Sequence, residues 1–111
     1  MPEGGGARNG NPIYALPNAR GTFHFVQQMP ARVSVLRGLG AHMNVFAIES
    51  FMDELAEAAG VDPVAFRLAY LKDERAREIV RVAAGRFGWD SRGDGGNGVG
   101  TGFAFARYKN L

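Results

Sequence analysis

A run of apolar residues at helical spacing is the feature that most limits what this chain can fold into. Between residues 45 and 59 the apolar positions recur every three or four residues, which predicts an amphipathic helix with one buried face. These positions are Val45, Ile48, Met52, Leu55, Ala56 and Ala59. Asn44 is an acceptable N-cap, and Gly60 suits the left-handed position that ends a helix. A first helix is therefore expected from about residue 44 to residue 59.

Two further helices are predicted after this one. Asp62-Pro63 combines an N-cap residue with proline at the first helical position, so a second helix should begin there. A third helix is expected from about Asp73 to Phe87, because its apolar residues again fall in helical register and Gly88 follows. Four aromatic residues are predicted to lie in the core: Phe46, Phe51, Phe66 and Trp89.

Residues on both sides of the helices show a different pattern. Apolar and polar or small residues alternate in residues 21–28 and 101–108, and residues 13–16 also look extended, which is typical of strands. The predicted fold class is therefore α+β, with a small antiparallel sheet of two N-terminal strands and one C-terminal strand covered by about three helices. Residues 1–11 are expected to be a flexible lead-in, and residues 12–111 a single α+β subdomain.

Composition excludes several classes of function. The 111 residues are the size of one small domain, and the absence of cysteine excludes disulfides, iron–sulfur ligation and thiolate catalysis. The formal net charge is only +2, and no block of Lys and Arg with interleaved aromatics appears, so no nucleic-acid partner is expected. No apolar run is long enough to predict a membrane span. The sequence does not indicate a cellular compartment.

A glycine-rich turn with an arginine precedes the first helix. In Leu36-Arg37-Gly38-Leu39-Gly40 the glycines permit a tight bend and a close approach to a ligand. The helix start that follows offers free N–H groups and a positive dipole end, and the guanidinium fork of Arg37 suits a phosphate or another oxyanion. Spacing alone still favours an ordinary solvated loop arginine over a binding residue.

The other candidate groups are better explained by structure than by chemistry. His24 and His42 have no second ligand at metal spacing, so no metal site is predicted. Acidic residues early in the first helix suit its dipole and a solvated face, and this interpretation applies to Glu49, Asp53 and Glu54. Residues 96–102 superficially resemble a phosphate loop, but they precede a strand, so a glycine hairpin is favoured.

The turn and the helices after it resemble a known family. The run from Leu36 to Ala56, continued by Gly60-Val61-Asp62-Pro63-Val64-Ala65-Phe66-Arg67-Leu68, is similar to the large subunit of the molybdenum hydroxylases. These are the xanthine dehydrogenase and aldehyde oxidase relatives, and the likeness is greatest to the isoquinoline 1-oxidoreductase type. The resemblance implies that Arg37 and Gly38 contact a molybdopterin cofactor and that Leu39 lines the substrate cavity.

The resemblance also implies the setting in which this chain works. The parent enzyme would oxidise aldehydes or aromatic N-heterocycles, with the rest of the large subunit and an iron–sulfur or haem electron-transfer subunit as partners. The family's general base is a glutamate beside a glycine, and no such element occurs here, so no catalytic residue is predicted. The chain is expected to be a fragment that is inactive and binds no cofactor by itself. The alternative is a stand-alone α+β protein-interaction module.

Overall fold

The computed structural model describes residues 5–28, 30 and 36–108. Three α-helices follow one another in the chain: α1 (Ala41–Ala58), α2 (Pro63–Tyr70) and α3 (Glu74–Phe87). Short 3-10 turns are formed by Gly5–Ala7 and Trp89–Ser91. α2 packs between α1 and α3, and extended segments from both ends of the chain cover this helical layer. Within the described ranges, no helix has the length and apolar character needed to cross a membrane.

The ends of the helices follow the sequence signals closely. Gly60 has a φ of 64°, and the N–H groups of Gly60 and Val61 donate to the carbonyls of Glu57 and Ala56, which is a Schellman ending for α1. Asp62 caps α2 by accepting from the N–H groups of Val64 and Ala65. Asp73 caps α3 in the same way, and Gly88 ends α3 with a φ of 77°. The helix predictions are confirmed at these points.

The start of α1 differs from the prediction. α1 begins at Ala41, so Asn44 lies inside its first turn and the predicted N-cap role for Asn44 was wrong. The Asn44 side chain instead donates to the carbonyls of Gly6 and Arg8. Gly40 N–H donates to Gly5 O at 2.9 Å. The residues just after Gly5 are thereby attached to the start of α1, whereas residues 1–4 of the predicted lead-in lie outside the described residues. The domain boundaries stay a prediction.

The predicted α+β class is wrong, because the described residues contain three helices and no strand. The three segments expected to be strands, residues 13–16, 21–28 and 101–108, do not pair with one another. One isolated bridge joins Gly96 to Val99, with positive φ at Asn97 and Gly98 between them. This two-residue turn confirms the glycine hairpin expected within residues 96–102.

Helices replace strands as the partners of residues 13–16 and 101–108, whereas residues 21–28 are exposed. Ala15 N–H donates to Tyr70 O at the end of α2, and Phe105 N–H donates to a side-chain oxygen of Glu49 on α1. Phe103 and Phe105 are partly buried against the core, while Ala104 between them is exposed. The alternation in residues 101–108 therefore correctly reports one buried face, but that face is covered by helices. An alternating pattern does not itself specify a hydrogen-bonded neighbour strand.

The core lies between α1, α2, α3 and the two covering segments. Its buried apolar residues are Tyr14, Met52, Ala56, Val64, Phe66, Leu71, Ala76, Val80, Ala84 and Trp89. Two predicted core residues, Phe46 and Phe51, are instead 67% and 55% exposed. Both lie on the side of α1 away from its buried Met52 and Ala56 positions, so their aromatic character misled the prediction. The predictions for Phe66 and Trp89 are confirmed.

The Asp62 carboxylate links the start of α2 to the residues that follow α3. Asp62 Oδ2 accepts from Trp89 Nε1 and from an Arg92 guanidinium nitrogen, both at 2.8 Å. The Arg92 guanidinium also lies 3.8 Å from the centre of the Trp89 ring. Burial opposes ionisation of Asp62, but the hydrogen bonds that its carboxylate accepts outweigh burial and lower its pKa.

A buried cluster of charged residues joins α1 to α2. Arg67 is completely buried, and its Nε donates to Glu49 Oε2 at 2.9 Å, while one terminal nitrogen donates to Asp53 Oδ1 at 2.6 Å. Arg67 also donates to the carbonyls of Pro63 and Glu49. Burial opposes the charge on Arg67, but the hydrogen bonds to Asp53 and Glu49 raise its pKa. The predicted solvated face was therefore wrong for Glu49, which is 5% exposed.

Tyr14 completes this cluster from the N-terminal side of the helices. Its hydroxyl donates to Glu49 Oε1 at 2.8 Å, so the two carboxylate oxygens of Glu49 serve different elements. Burial raises the pKa of Tyr14, and the neighbouring Glu49 carboxylate raises it further. Tyr14 therefore stays protonated and acts as a permanent donor to Glu49.

The first prediction concerns the core face of α1. Met52→Ala should lower the free energy of unfolding by about 2–5 kcal/mol, because Met52 is buried and its removal leaves a cavity. Phe51→Ala on the neighbouring exposed position should change it by less than about 0.5 kcal/mol. Urea unfolding of the 111-residue chain measures both. Equal effects of the two substitutions would show that this face of α1 is wrongly assigned.

The second prediction concerns the buried Arg67. Arg67→Leu should cost about 3–5 kcal/mol, because it leaves the Glu49 carboxylate buried without its cation. Adding Glu49→Leu should recover a substantial part of that loss, since the unpaired charge is then removed as well. Chemical denaturation of the two variants provides the test. A double variant less stable than Arg67→Leu alone would contradict this account.

The third prediction concerns acid stability. Because folding lowers the pKa of Asp62, its contribution is complete above the unfolded value near 3.8 and is lost as the pH falls through the lower folded value. The difference in unfolding free energy between wild type and Asp62→Asn should therefore shrink as the pH falls below about 4. Unfolding curves from pH 2 to pH 7 measure this difference. A difference that stays constant would mean that Asp62 does not ionise more readily in the folded state.

Candidate functional site

A cleft opens beside the N-terminus of α1. It has a volume of about 590 Å³, which lies within the range of small-molecule and cofactor sites. Its walls come from the turn before α1, the first two turns of α1 and residues near both ends of the chain. The lining residues are Asn9, Arg37, Gly38, Ala41, His42, Val45, Ala106 and Tyr108.

The turn before α1 presents Arg37 and Gly38 to this cleft. Leu39 N–H donates to Leu36 O at 2.9 Å and Ala41 N–H donates to Gly38 O at 3.0 Å, so two successive turns lead directly into the helix. Gly38 has a φ of 85°, a conformation that residues with a Cβ rarely adopt. Arg37 is exposed, and its guanidinium is therefore available to a ligand in the cleft.

The N-terminus of α1 is arranged differently from those of α2 and α3. Its N-cap, Gly40, has no side chain to accept from the first turn, whereas Asp62 and Asp73 cap the other two helices. Ala41 and His42 from this first turn line the cleft. The positive end of the α1 dipole therefore lies at the cleft without a carboxylate to neutralise it.

The opposite wall comes from the two ends of the chain. Ala106 and Tyr108 belong to residues 101–108, called the C-terminal segment below, and Asn9 connects to it by donating to Arg107 O at 2.7 Å. The Arg8 guanidinium lies 5.6 Å from the centre of the Tyr108 ring. Positive potential comes from the turn and the helix dipole, and the lining residues include no carboxylate. The described cleft is thus suited to an anionic ligand with polar edges.

Of the three residues predicted to form the cofactor and substrate site, the structure places two at the cleft. Arg37 and Gly38 both line the cleft, whereas Leu39 is not among its lining residues. Leu39 has a φ of 53° and is partly buried, with its side chain close to Gly5. The roles assigned to Arg37, Gly38 and Leu39 stay predictions.

Sequence reasoning missed the other cleft residues. His42 was interpreted as a structural or surface residue, although it follows the glycine turn at the helix start, and that position was a usable signal. Tyr108 lies 71 positions after Arg37 in the sequence, and no local pattern connects the two. The second histidine, His24, is exposed. Within the described ranges, no group of three or more His, Asp or Glu residues is placed to hold a metal ion.

Comparison with known proteins places the chain in a family. The model of the molybdopterin cofactor-binding domain matches residues 4–71. The B subunit of nicotinate dehydrogenase from Pseudomonas putida is 41% identical over 110 residues, which cover 93% of this chain and 9% of that protein. The beta subunit of isoquinoline 1-oxidoreductase from Brevundimonas diminuta is 39% identical over 80 residues, which cover 70% of this chain and 10% of that protein.

A third relative gives the same assignment over a shorter stretch. Aldehyde oxidoreductase of Megalodesulfovibrio gigas is 43% identical over 54 residues, which cover 49% of this chain and 6% of that protein. No solved structure matches the chain. The chain spans about a tenth of the length of the first two relatives, so it corresponds to one segment of such proteins. The resemblance to the molybdenum hydroxylases is thereby confirmed, and the chain belongs to the molybdopterin cofactor-binding domain family.

Proposed function

We propose that this chain supplies a cofactor-side loop to a molybdopterin-dependent oxidoreductase and supports that loop on its helical core. The observation that carries the proposal is that Arg37 and Gly38 line one cleft together with the uncapped start of α1. Family membership supplies the identity of the ligand, and it favours this role over a stand-alone interaction module.

The lining residues fit the chemistry of the cofactor. Molybdopterin carries a phosphate and a polar ring system, so it needs a cationic donor and several hydrogen-bonding groups. Arg37 would donate to an oxyanion through its planar fork, and the positive end of the α1 dipole would add to the attraction. Gly38 would let the backbone come close to the cofactor, since it has no Cβ in the way. His42 and Tyr108 add polar side chains at the same cleft.

The bound cofactor would supply the oxidation chemistry, while these residues bind and orient it. The substrate class is proposed from the relatives, whose names refer to nicotinate, isoquinoline and aldehydes. An aldehyde or an aromatic N-heterocycle would thus be oxidised by the parent enzyme, with Leu39 at the edge of the substrate cavity. The isolated 111 residues are proposed to be inactive.

Partners are proposed on the same basis. Two relatives are named as subunits, which supports a multi-subunit parent enzyme. The family resemblance supports an iron–sulfur or haem subunit as the electron-transfer partner. The remainder of the large subunit would complete the cofactor site.

The fourth prediction tests the turn in the full-length subunit. Arg37→Lys keeps the charge but loses the planar set of donors, so molybdenum content should fall by about threefold to tenfold. Gly38→Val should lower it further, because a branched residue is strained at a φ of 85°. Metal analysis of the purified protein, together with dye-linked aldehyde oxidation, measures both effects.

The matched control for this test is Arg86→Lys. Arg86 is an exposed arginine in the last turn of α3 and does not line the cleft, so this variant should retain wild-type molybdenum content and turnover. If Arg37→Lys and Gly38→Val also behave like wild type, the turn does not bind the cofactor and the proposal fails.

A further inference from the structure

We infer that Glu49 is a positioning residue for this cleft, because its buried carboxylate holds the C-terminal segment that forms one wall. The inference rests on the proposed function, since it assumes that the cleft holds the cofactor. Glu49 itself does not line the cleft, so it acts through the backbone of Phe105.

The buried carboxylate of Glu49 accepts hydrogen bonds from three different parts of the chain. Oε2 accepts from Phe105 N–H at 3.0 Å and from Arg67 Nε at 2.9 Å, while Oε1 accepts from the Tyr14 hydroxyl at 2.8 Å. Glu49 and Phe105 are 56 positions apart in the sequence. A charge-assisted hydrogen bond to a backbone N–H is stronger than a neutral one, and burial protects it from competition by water.

The helix geometry links this bond to the cleft. Ala41, Val45 and Glu49 are spaced four residues apart, so they follow one face of α1, and Ala41 lies about 12 Å from Glu49 along the axis. Extended chain covers about 10 Å in the three residues from Phe105 to Tyr108. With Phe105 fixed at Glu49, the C-terminal segment therefore brings Tyr108 level with the start of α1. The cleft is lined by this same combination of Ala41, Val45, Ala106 and Tyr108.

The other polar attachments of the C-terminal segment are more exposed to solvent. The bond from Asn9 to Arg107 O is exposed, and the ion pair of Arg107 with Asp73 joins two side chains that are each more than two-fifths exposed. A cavity of about 20 Å³, room for roughly one water molecule, lies between Val45, Glu49 and Phe105. Phe103 and Phe105 also pack partly against the core, but space remains beside Glu49, so the directional hydrogen bond from Phe105 N–H fixes the register of the wall.

Variants can separate positioning from general stability. Glu49→Ala removes the acceptor of Phe105 N–H, whereas Asp53→Ala removes the other carboxylate on Arg67 and leaves that acceptor in place. Glu49→Gln keeps an oxygen for Phe105 and Arg67 and presents its amide to Tyr14, whose hydroxyl can also accept. The triple variant Tyr14→Phe, Glu49→Leu, Arg67→Leu removes the acceptor without leaving a buried charge unpaired, so it is suited to testing the inference if Glu49→Ala does not fold.

The fifth prediction is tested by hydrogen exchange and metal analysis of the full-length subunit. In Glu49→Ala, or in the triple variant, amides of residues 103–108 should exchange about tenfold faster while those of α3 stay protected. Molybdenum content should fall in the same variants. Glu49→Gln should recover most of both properties, and Asp53→Ala should leave both at wild-type values.

The outcomes distinguish this inference from the proposed function. Unchanged exchange of residues 103–108 without Glu49 would overturn the inference, even if Arg37→Lys lowers molybdenum content. Faster exchange with unchanged molybdenum content would also overturn the positioning role. If Arg37→Lys and Gly38→Val retain molybdenum as well, the proposed cofactor site itself has failed. Loss of molybdenum in Asp53→Ala equal to that in Glu49→Ala would reduce Glu49 to a purely structural residue.

Discussion

The ion pair between Arg67 and Glu49 is the interaction on which the rest of the structure depends. Both side chains are removed from water, and such a pair is tolerated only when nearly every polar atom finds a partner. Here that requirement brings together α1, α2, Tyr14 from before the helices and Phe105 of the C-terminal segment. The chain has only 111 residues and a modest apolar core. The hydrogen bonds of this cluster are directional, so they specify which segments meet, whereas apolar contacts alone do not.

The local parts of the fold could be predicted from the sequence because their causes are local. Gly60 ends α1, Asp62-Pro63 starts α2, and Gly88 ends α3, and each signal concerns groups within a few residues of itself. The prediction for the start of α1 was wrong because the deciding contacts are not local. Asn44 has the side chain of an N-cap, but tertiary contacts with Gly6 and Arg8 engage that side chain, and α1 extends back to Ala41.

The errors in fold class and charge placement have one physical source. Alternation in residues 101–108 reports that one face is buried, and it cannot say whether a strand or a helix buries it. Likewise, Glu49 was interpreted together with Asp53 and Glu54 as one acidic group, whereas its environment is set by Arg67 from another helix. A spacing signal was present nevertheless, because Glu49 lies between Val45 and Met52 on the buried face of α1. A charged residue on a buried face needs an opposite charge nearby in the fold. Arg67, which lies between the apolar residues Phe66 and Leu68, was the candidate for that charge.

The cleft shows how far a local motif can lead toward a site. Arg37 and Gly38 are recognisable from the turn itself, because glycine geometry and a helix start are adjacent in sequence. The facing wall is formed by residues 106–108, and we infer that its position relative to α1 depends on the hydrogen bond from Phe105 to Glu49, one turn beyond the cleft residue Val45. Under the proposed function, a substitution at the turn would alter contacts with the ligand, whereas one at Glu49 would alter the space that the ligand enters. On that proposal, substitutions at two chemically different residues would produce the same loss of cofactor, and the mobility of the C-terminal segment would tell them apart.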